Sequence, residues 1–439
     1  MTQPPKDPTE SAEAATTGVA NHAAIAVDRA VVDLRRGLPV LLLPEAEEKG
    51  ADALLVQAAE TVTNQGLERL LSLAGGASSS AGSQGSSPAS SPVRASLVVT
   101  ARRGEVLILS SATNPSGVTP GETEENKEPQ VDSILVLPLP TDFDTGLLAG
   151  LADPTSKEAA GPFAHLPATP AKPGGVHDAA LSLARMAHLL PACVTVPLEI
   201  SHFDSSSMDS GPENFVTTAQ QWALGAGLLA VCTEDLLASR DSSDVTLVPV
   251  VTARVPLALA EKAQIHVYRP EDGGQEHFAI VIGEPAPDQP VLTRIHSSCF
   301  TGDLLESLRC DCGEQLHGAL ATIAENGAGV LLYLTQEGRG IGLVNKLRAY
   351  HLQDRGFDTF EANEQLGFEA DERVFSAAAQ MLGDLGFSRV RLLTNNPRKV
   401  AALEHCGITV EERVAHAFPA NDHNEAYLKT KARRGGHIL

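Results

Sequence analysis

Half of the six cysteines in this 439-residue chain fall in one stretch, RIHSSCFTGDLLESLRCDCGEQ, residues 294–315. Cys299 is followed eleven positions later by Cys310-Asp311-Cys312, so three thiolates can converge if the loop between them folds back. Three soft sulfur ligands suit Zn²⁺ and leave the fourth tetrahedral position open to water, which is an arrangement for hydrolysis rather than scaffolding. The same spacing also admits a closed zinc knuckle completed by His296, Asp311 or Cys406, or simply buried thiols.

Two further segments have the composition of anion sites. Gln336-Glu337-Gly338-Arg339-Gly340-Ile341-Gly342 places glycines and a guanidinium between a strand and a helix, where backbone N–H groups can meet an anion and Arg339 can grip it. The segment lacks the lysine and hydroxyl of a P-loop, and a plain strand-to-helix turn has the same composition. Thr394-Asn-Asn-Pro-Arg398-Lys399 puts cations on the first turn of a capped helix, against its dipole, which makes sense if an anion sits between them. The plainer reading is solvated surface charge. Asp371-Glu372-Arg373 reads by itself as a capping pair at a helix start.

The elements that must position these residues follow from periodicity. IHVYRP, HFAIVIGE and PVLTRIHSS predict a β meander that delivers the cysteine loop. After Cys312, Leu316, Leu320 and Ile323 recur at helical spacing. GVLLYLTQ is a buried strand feeding the EGRGIG loop and a helix through Leu343, Leu347 and Tyr350. VFSAAAQMLGDLG, RVRLLT and NNPRKVAALEHCG repeat helix, strand, helix, with Asn395 or Asn396 capping the last and Pro397 in its first turn. Upstream, residues 1–22 are polar and Pro/Thr/Ala-rich and read as a disordered tail, followed by a helix over 23–36 ended by Gly37 and a strand after Pro39. Two low-complexity tracts, from Gly75 and from Asn114, read as surface insertions between strands at Leu97, Val106 and Ser133. Helices over 177–190 and near Trp222, with a strand over 193–197, complete a first domain that ends at the polar DSSD break. The fold class is therefore α/β (α+β), two domains of mixed sheet packed with helices, over 23–245 and 246–439.

Composition bounds the class of function. A net charge of −22 argues against general nucleic-acid binding, which needs a basic face. Residues 1–245 hold 14 Lys+Arg against 30 Asp+Glu and residues 246–439 hold 19 against 25, so most cations accompany the motifs above. Six cysteines, three of them clustered, suit a metal site in a reducing compartment better than a disulfide framework. The N-terminus lacks the apolar core of a signal peptide, and no run is long enough to span a bilayer, so the expectation is a cytoplasmic protein without membrane partners.

Taken in order, RIHSSCFTGDLLESLRCDCGEQL, YLTQEGRGIGLVNKLRAYHLQDRGFDT, EANEQLGFEADER and LLTNNPRKV resemble GTP cyclohydrolase II, the zinc enzyme that opens riboflavin synthesis, over about residues 249–439. The resemblance implies zinc on Cys299, Cys310 and Cys312, lowering the pKa of a water that attacks C8 of guanine, with loss of formate. It implies Tyr350 as the active-site tyrosine, Asp371 as proton acceptor and Arg373 as nucleophile toward the α-phosphorus, releasing pyrophosphate. A guanidinium stays protonated in proteins, so stabilising charge is an easier task for Arg373 than attack. GTP contacts are implied at Arg294, Ile295, His296, Ser297, Ser298, Gln315, Glu337, Gly338, Arg339, Thr359, Thr394 and Lys399. Arg339 and Lys399 would hold the triphosphate with Mg²⁺ bridging its oxygens, while Glu337, Gln315 and nearby backbone read the guanine edge. Ser298 and Thr335 depart from the Glu and Arg that many members carry. The family implies a homodimer.

Residues 23–245 resemble a decayed 3,4-dihydroxy-2-butanone 4-phosphate synthase, through AVDRAVVDLRRGLPVLLL, the stretch from Gly161 to Ile200, and LLAVCTEDLLASR. The acidic Mg²⁺ loop expected after the first strand reads PEAEEKGADALL, without its Arg-Glu pair, and His177 stands beside Asp178 rather than in a Gly-His-Thr-Glu run. No synthase activity is expected. The alternatives are a paralogue that stops at a formamidopyrimidine product, a bifunctional enzyme, and a zinc-stabilised nucleotide-binding regulator.

Overall fold

Aliphatic runs of strand length alternate along the chain with amphipathic helical stretches, and they assemble into two mixed sheets with helices packed on them. The computed structural model describes residues 8–45, 52–76, 94–112, 134–156, 168–198, 212–241, 246–369 and 371–419. The chain divides into two units, residues 1–241 with 364–368, and residues 242–363 with 369–439.

Before residue 242 the elements are α1 (Pro8–Arg35), β1 (Val40–Leu43), β2 (Ala53–Ala58), α2 (Asn64–Gly76), β3 (Ser96–Thr100), α3 (Ala101–Ala112), β4 (Ile134–Pro138), α4 (Thr145–Ala152), β5 (Thr169–Ala171), α5 (Val176–Met186), β6 (Ala192–Leu198), α6 (Pro212–Gly225), β7 (Leu229–Cys232) and α7 (Thr233–Asp241). The seven strands lie in the order β5-β4-β3-β6-β2-β1-β7, antiparallel except for β1 against β7. Successive residues of β1 serve opposite cores: Leu41 and Leu43 pack on one face of the sheet, Val40 and Leu42 on the other. That two-sided burial is why VLLL is apolar at every position instead of alternating.

Three sequence expectations change here. The helix begins at Pro8, so it takes in residues 8–22, which had been assigned to a disordered tail. Proline is tolerated in a first turn and the alanines that follow are strong helix formers, so low hydrophobicity there does not prevent helix. The strand expected at Val106 lies inside α3. A four-residue apolar run does not distinguish helix from strand, and β3 already has a partner on each side, so no ladder is open to a further strand next to it. The stretch read as the loop PEAEEKGADALL contains the start of β2, whose residues are all buried, while positions 46–51 lie outside the described residues.

From residue 246 the elements are β8 (Leu247–Arg254), β9 (Ala263–Pro270), β10 (His277–Ile282), β11 (Val291–Ser297), α8 (Cys312–Glu325), β12 (Gly329–Leu334), α9 (Gly342–Asp354), α10 (Thr359–Leu366), α11 (Ser376–Asp384), β13 (Arg389–Leu393), α12 (Pro397–His405) and β14 (Thr409–Val414). Their order in the sheet is β14-β13-β11-β12-β10-β9-β8. β8, β9 and β10 form the expected antiparallel meander, but β11 is not its next strand. β11 crosses over to lie parallel between β12 and β13. Six of its seven residues are buried, a pattern that only an interior strand covered on both faces can satisfy. β12 and β13 flank β11 on opposite sides, so the chain direction around the sheet reverses there. In open sheets the crevice beyond the carboxyl ends of parallel strands at such a reversal is where ligands bind. The cysteine loop, the EGRGIG loop and the Thr394–Lys399 turn leave the carboxyl ends of β11, β12 and β13 respectively. Among the described residues, no helix is long and apolar enough to cross a membrane.

Candidate active site

The three cysteines converge. Cys299 ends the extended run of β11, a short π-helical turn over Phe300–Leu304 folds the loop back, and Cys310 and Cys312 follow at the start of α8. Their sulfurs lie within 4.8 Å of one another, and Cys299 Sγ is 3.7 Å from Cys310 Sγ. A tetrahedral zinc with Zn–S bonds of about 2.3 Å separates its sulfurs by about 3.8 Å, which the Cys299–Cys310 pair matches at 3.7 Å. The turn is tight because Gly302 backs onto the cluster: a Cβ there would stand 2.7 Å from Cys310 Sγ and 3.0 Å from Cys299 Sγ. His296 and Asp311, the alternative fourth ligands, are engaged elsewhere, and Cys406 is exposed at the end of α12.

The electrostatics favour thiolate at this corner. Hydrogen bonds from Cys310 and then Cys312, with Lys346 adding to them, hold the Cys299 thiol far below its ordinary range, and the same pairing raises Cys310. Lys346 Nζ lies 3.0 Å from Cys299 Sγ and 2.7 Å from Glu337 Oε1. Burial pulls its pKa down, but Tyr350, Cys299 and Glu337 outweigh burial and push it above the ordinary lysine value.

Asp303 pins the cysteine loop to the sheet. It accepts the Cys299 N–H at 2.9 Å, the Tyr333 hydroxyl at 2.9 Å and His296 Nε2 at 3.0 Å. His296 in turn stacks on Tyr333, and burial holds its pKa below the ordinary histidine value. On the same face of β11, Arg294 donates to Leu393 O at 2.8 Å and to Gln315 Oε1 at 2.5 Å. Burial lowers its pKa to about 10, so it remains charged at neutral pH. Among the described residues, Arg294 Nε and His296 Nδ1 are buried polar atoms without a hydrogen-bond partner.

The EGRGIG loop owes its shape to left-handed backbone. Gly338, Arg339 and Gly340 have φ of 63°, 63° and 95°. For arginine that conformation costs about 1–2 kcal/mol. It is held by the Glu372 N–H, which donates to Arg339 O at 3.0 Å. Next to this contact, Asp371 grips Arg373 through two bonds of 2.7 and 2.6 Å, so the pair is a bidentate clamp rather than a helix cap. Burial would raise the Asp371 pKa, but its hydrogen bonds and attraction to Arg373 outweigh that and hold it below the ordinary carboxylate range.

On α9, Lys346, Tyr350 and Gln353 share one face by their spacing of four and three. The Tyr350 hydroxyl lies 3.5 Å from Thr301 Oγ1, and the Arg309 guanidinium sits 4.6 Å above its ring. Gln353 donates to Thr359 Oγ1 at 3.3 Å. At the third loop, Asn396 caps α12 by accepting the Arg398 N–H at 3.0 Å. Lys399 is 6 % exposed and donates to Ile295 O at 2.9 Å, whereas Arg398 faces solvent. The surface-charge reading thus applies to Arg398 and not to Lys399.

One cavity is lined by nearly all of the residues singled out in the sequence: the three cysteines, Arg294, His296, Ser297, Ser298, Gln315, Glu337–Arg339, Tyr350, Thr359, Arg373, Thr394 and Lys399. Two do not line it. The Ile295 side chain packs in the core, leaving only its carbonyl, which Lys399 takes, and Asp371 stands behind Arg373. Of the two departures, Ser298 lines the cavity, while Thr335 turns away to bond Glu276 O and the His277 ring. Sequence reading missed Asp303, Lys346 and His416. Lys346, one turn before Tyr350, carried a usable signal. His416 carried none, because its partners Gln315 and Asn395 are distant in sequence. It donates to Gln315 O at 2.8 Å, and burial, with Arg294 nearby, lowers its pKa to about 4.

The GTP cyclohydrolase II family model matches residues 249–415. GTP cyclohydrolase-2 of Azospirillum brasilense is 45% identical over 414 residues, covering 94% of this chain and 94% of that protein. GTP cyclohydrolase-2 of Pseudomonas aeruginosa (strain UCBPP-PA14) is 56% identical over 194 residues, 44% of this chain and 94% of that protein. The riboflavin biosynthesis protein RibBA of Bacillus velezensis is 56% identical over 177 residues, 40% of this chain and 44% of that protein. With matching that extends over nearly its full length, the chain belongs to the GTP cyclohydrolase II family, a family of hydrolases in riboflavin biosynthesis.

Proposed function

We propose that this chain hydrolyses GTP to 2,5-diamino-6-(5-phosphoribosylamino)pyrimidin-4(3H)-one, formate and pyrophosphate, with zinc held by Cys299, Cys310 and Cys312. The reading is carried by one observation: three sulfurs at zinc spacing share a cavity with the buried cations Arg294 and Lys399. The donor set fits the ion, since three thiolates leave one tetrahedral position for a water or substrate. When bound, zinc supplies Lewis-acid activation for hydrolysis at C8 of the purine.

The chain's own residues do the rest. The Tyr350 phenol, on the cysteine side of the cavity, orients the attacking water or protonates a ring nitrogen as the C8–N bond breaks. A second water at C8 releases formate. Arg339 and Lys399 would hold the triphosphate, and a Mg²⁺ bound with it would offset part of its charge; among the described residues, Arg294 Nε and His296 Nδ1 are buried atoms in want of a polar partner. Arg373, fixed by Asp371, stabilises charge as water attacks the α-phosphorus and pyrophosphate leaves. The low Asp371 pKa and its place outside the cavity lining favour a positioning role over proton acceptance.

The first half, residues 23–245, is proposed as a degenerate synthase-like domain without synthase activity, in a cytoplasmic homodimer. Growth rescue of a strain lacking dihydroxybutanone phosphate synthase would overturn that part. The main reading is tested by incubating zinc-loaded protein with GTP and Mg²⁺ and weighing the products. Formate with the deformylated pyrimidine supports it. A formamidopyrimidine product identifies the alternative paralogue, and binding without turnover identifies a regulator.

A further inference from the structure

The loops bearing Cys299 and Glu337 leave two adjacent parallel strands and are closed on each other by a ring of contacts. The Phe300 N–H, one residue past Cys299, donates to Glu337 Oε2 at 2.6 Å. Lys346 Nζ reaches the other oxygen, Oε1, at 2.7 Å, and the same ammonium reaches Cys299 Sγ at 3.0 Å. Glu337 Oε1 also accepts the Gly338 N–H at 3.1 Å. A carboxylate offers about four acceptor sites. Three of those on Glu337 are taken inside the protein.

We infer that Glu337 and Lys346 act together as the outer shell of the metal centre, and that Glu337 fastens the Cys299 loop instead of reading the guanine edge. The inference rests on the zinc reading above. Three thiolates around a divalent cation leave a net negative charge in a cavity that must admit a polyphosphate. The Lys346 hydrogen bond to Cys299 offsets part of that charge, and Glu337 keeps the ammonium aimed at the sulfur. The side chains of Lys346 and Glu337 are only 12% and 15% exposed, so solvent screens the pair less than it would a surface ion pair. Removing an outer partner of a metal ligand typically weakens metal affinity about 10- to 100-fold.

The experiment compares the full chain with Lys346→Met, Glu337→Gln, their double variant and Lys346→Arg. Zinc affinity is measured by competition with a chromogenic chelator, and kcat/KM is measured for GTP and for inosine triphosphate, which lacks the 2-amino group. Each single variant is expected to lose about 10- to 100-fold in zinc affinity. The double variant should lose less than the product of the two, because the residues act as one unit. Lys346→Arg should recover part of the loss, which a general folding defect would not allow. Glu337→Gln should keep the preference for GTP. Wild-type zinc affinity in both single variants would overturn the inference, as would loss of the GTP preference in Glu337→Gln. A wild-type chain that takes up no zinc sinks the metal reading itself, which is a separate result.

Discussion

Replacing Gly302 by alanine tests the cysteine cluster with a single methyl group. Gly302 is not among the residues with positive φ, so alanine can adopt its backbone without strain, and any effect comes from the added Cβ. That atom would stand 2.7 Å from Cys310 Sγ, 2.9 Å from Cys312 Cβ and 3.0 Å from Cys299 Sγ. Ordinary contact begins near 3.4 Å, so Cys310 Sγ must retreat by about 0.7 Å and Cys299 Sγ by about 0.4 Å. Metal–ligand distances hold to within about 0.2 Å, so both shifts exceed what the site can absorb. Displacing ligands directly should cost more than losing an outer-shell partner, giving a fall in zinc affinity of at least about 100-fold, or about 2.7 kcal/mol. Overpacking adds about 1–3 kcal/mol of destabilisation. Zinc per chain after dialysis against a chelator, together with a thermal melt, reads both effects. Gly383→Ala is the control: among the described residues a Cβ there meets nothing within 4 Å in the last turn of α11, so it should stabilise by about 0.5–1 kcal/mol and leave zinc untouched. Wild-type zinc affinity in Gly302→Ala would refute the convergence of the three sulfurs around one ion.

Four other outcomes follow from the same geometry. Tyr350→Phe should lower kcat by about 10²- to 10⁴-fold while leaving zinc content unchanged, and near-normal kcat would remove the phenol from the chemistry. Lys399→Met, which keeps the length but not the charge, should lower kcat/KM for GTP by about 10- to 100-fold, chiefly through KM; an unchanged KM contradicts its triphosphate role. Arg373→Lys should behave like Asp371→Asn in lowering kcat, because a lysine cannot reproduce the two-bond clamp, and full activity in either variant would discard the clamp. The His416 pKa falls from 6.5 to about 4 on folding, so the unfolded chain binds a proton that the folded chain refuses between those values. Stability from this residue is complete above pH 6.5 and is lost as pH falls toward 4, by about 2–3 kcal/mol. Urea midpoints between pH 7 and 4.5 should therefore fall more steeply for wild type than for His416→Asn, and equal slopes would contradict the assignment.

The chemistry-bearing loops were legible because each combines residue types that a plain turn does not need: clustered thiols, glycines around an arginine, a lysine just past a capping asparagine. The ends of β12 and β13 were legible for the same reason, as glycine or Asn-Pro punctuation after an apolar run. Sequence did not disclose that β11 leaves the meander, since strand neighbours are set by which faces are covered, and PVLTRIHSS alternates only partly. VLILS was misread because four apolar residues fit one turn of a helix as well as a strand. Asp303 and His416 escaped because their meaning lies in partners on other elements: Asp303 bridges Cys299, Tyr333 and His296, and His416 closes on Gln315 from the far end of the domain. Ile295 and Asp371 show the converse, since motif position singles them out while only the fold shows that one side chain faces the core and the other stands behind an arginine.

The most direct measurement follows the carbon between the two imidazole nitrogens of the base. With GTP carrying ¹³C at C8, zinc-loaded protein and Mg²⁺, the label should leave the purine resonance and accumulate as free formate, in step with pyrophosphate release. Label that stays in the purine, or that stops in an N-formyl group on the nucleotide, contradicts the account.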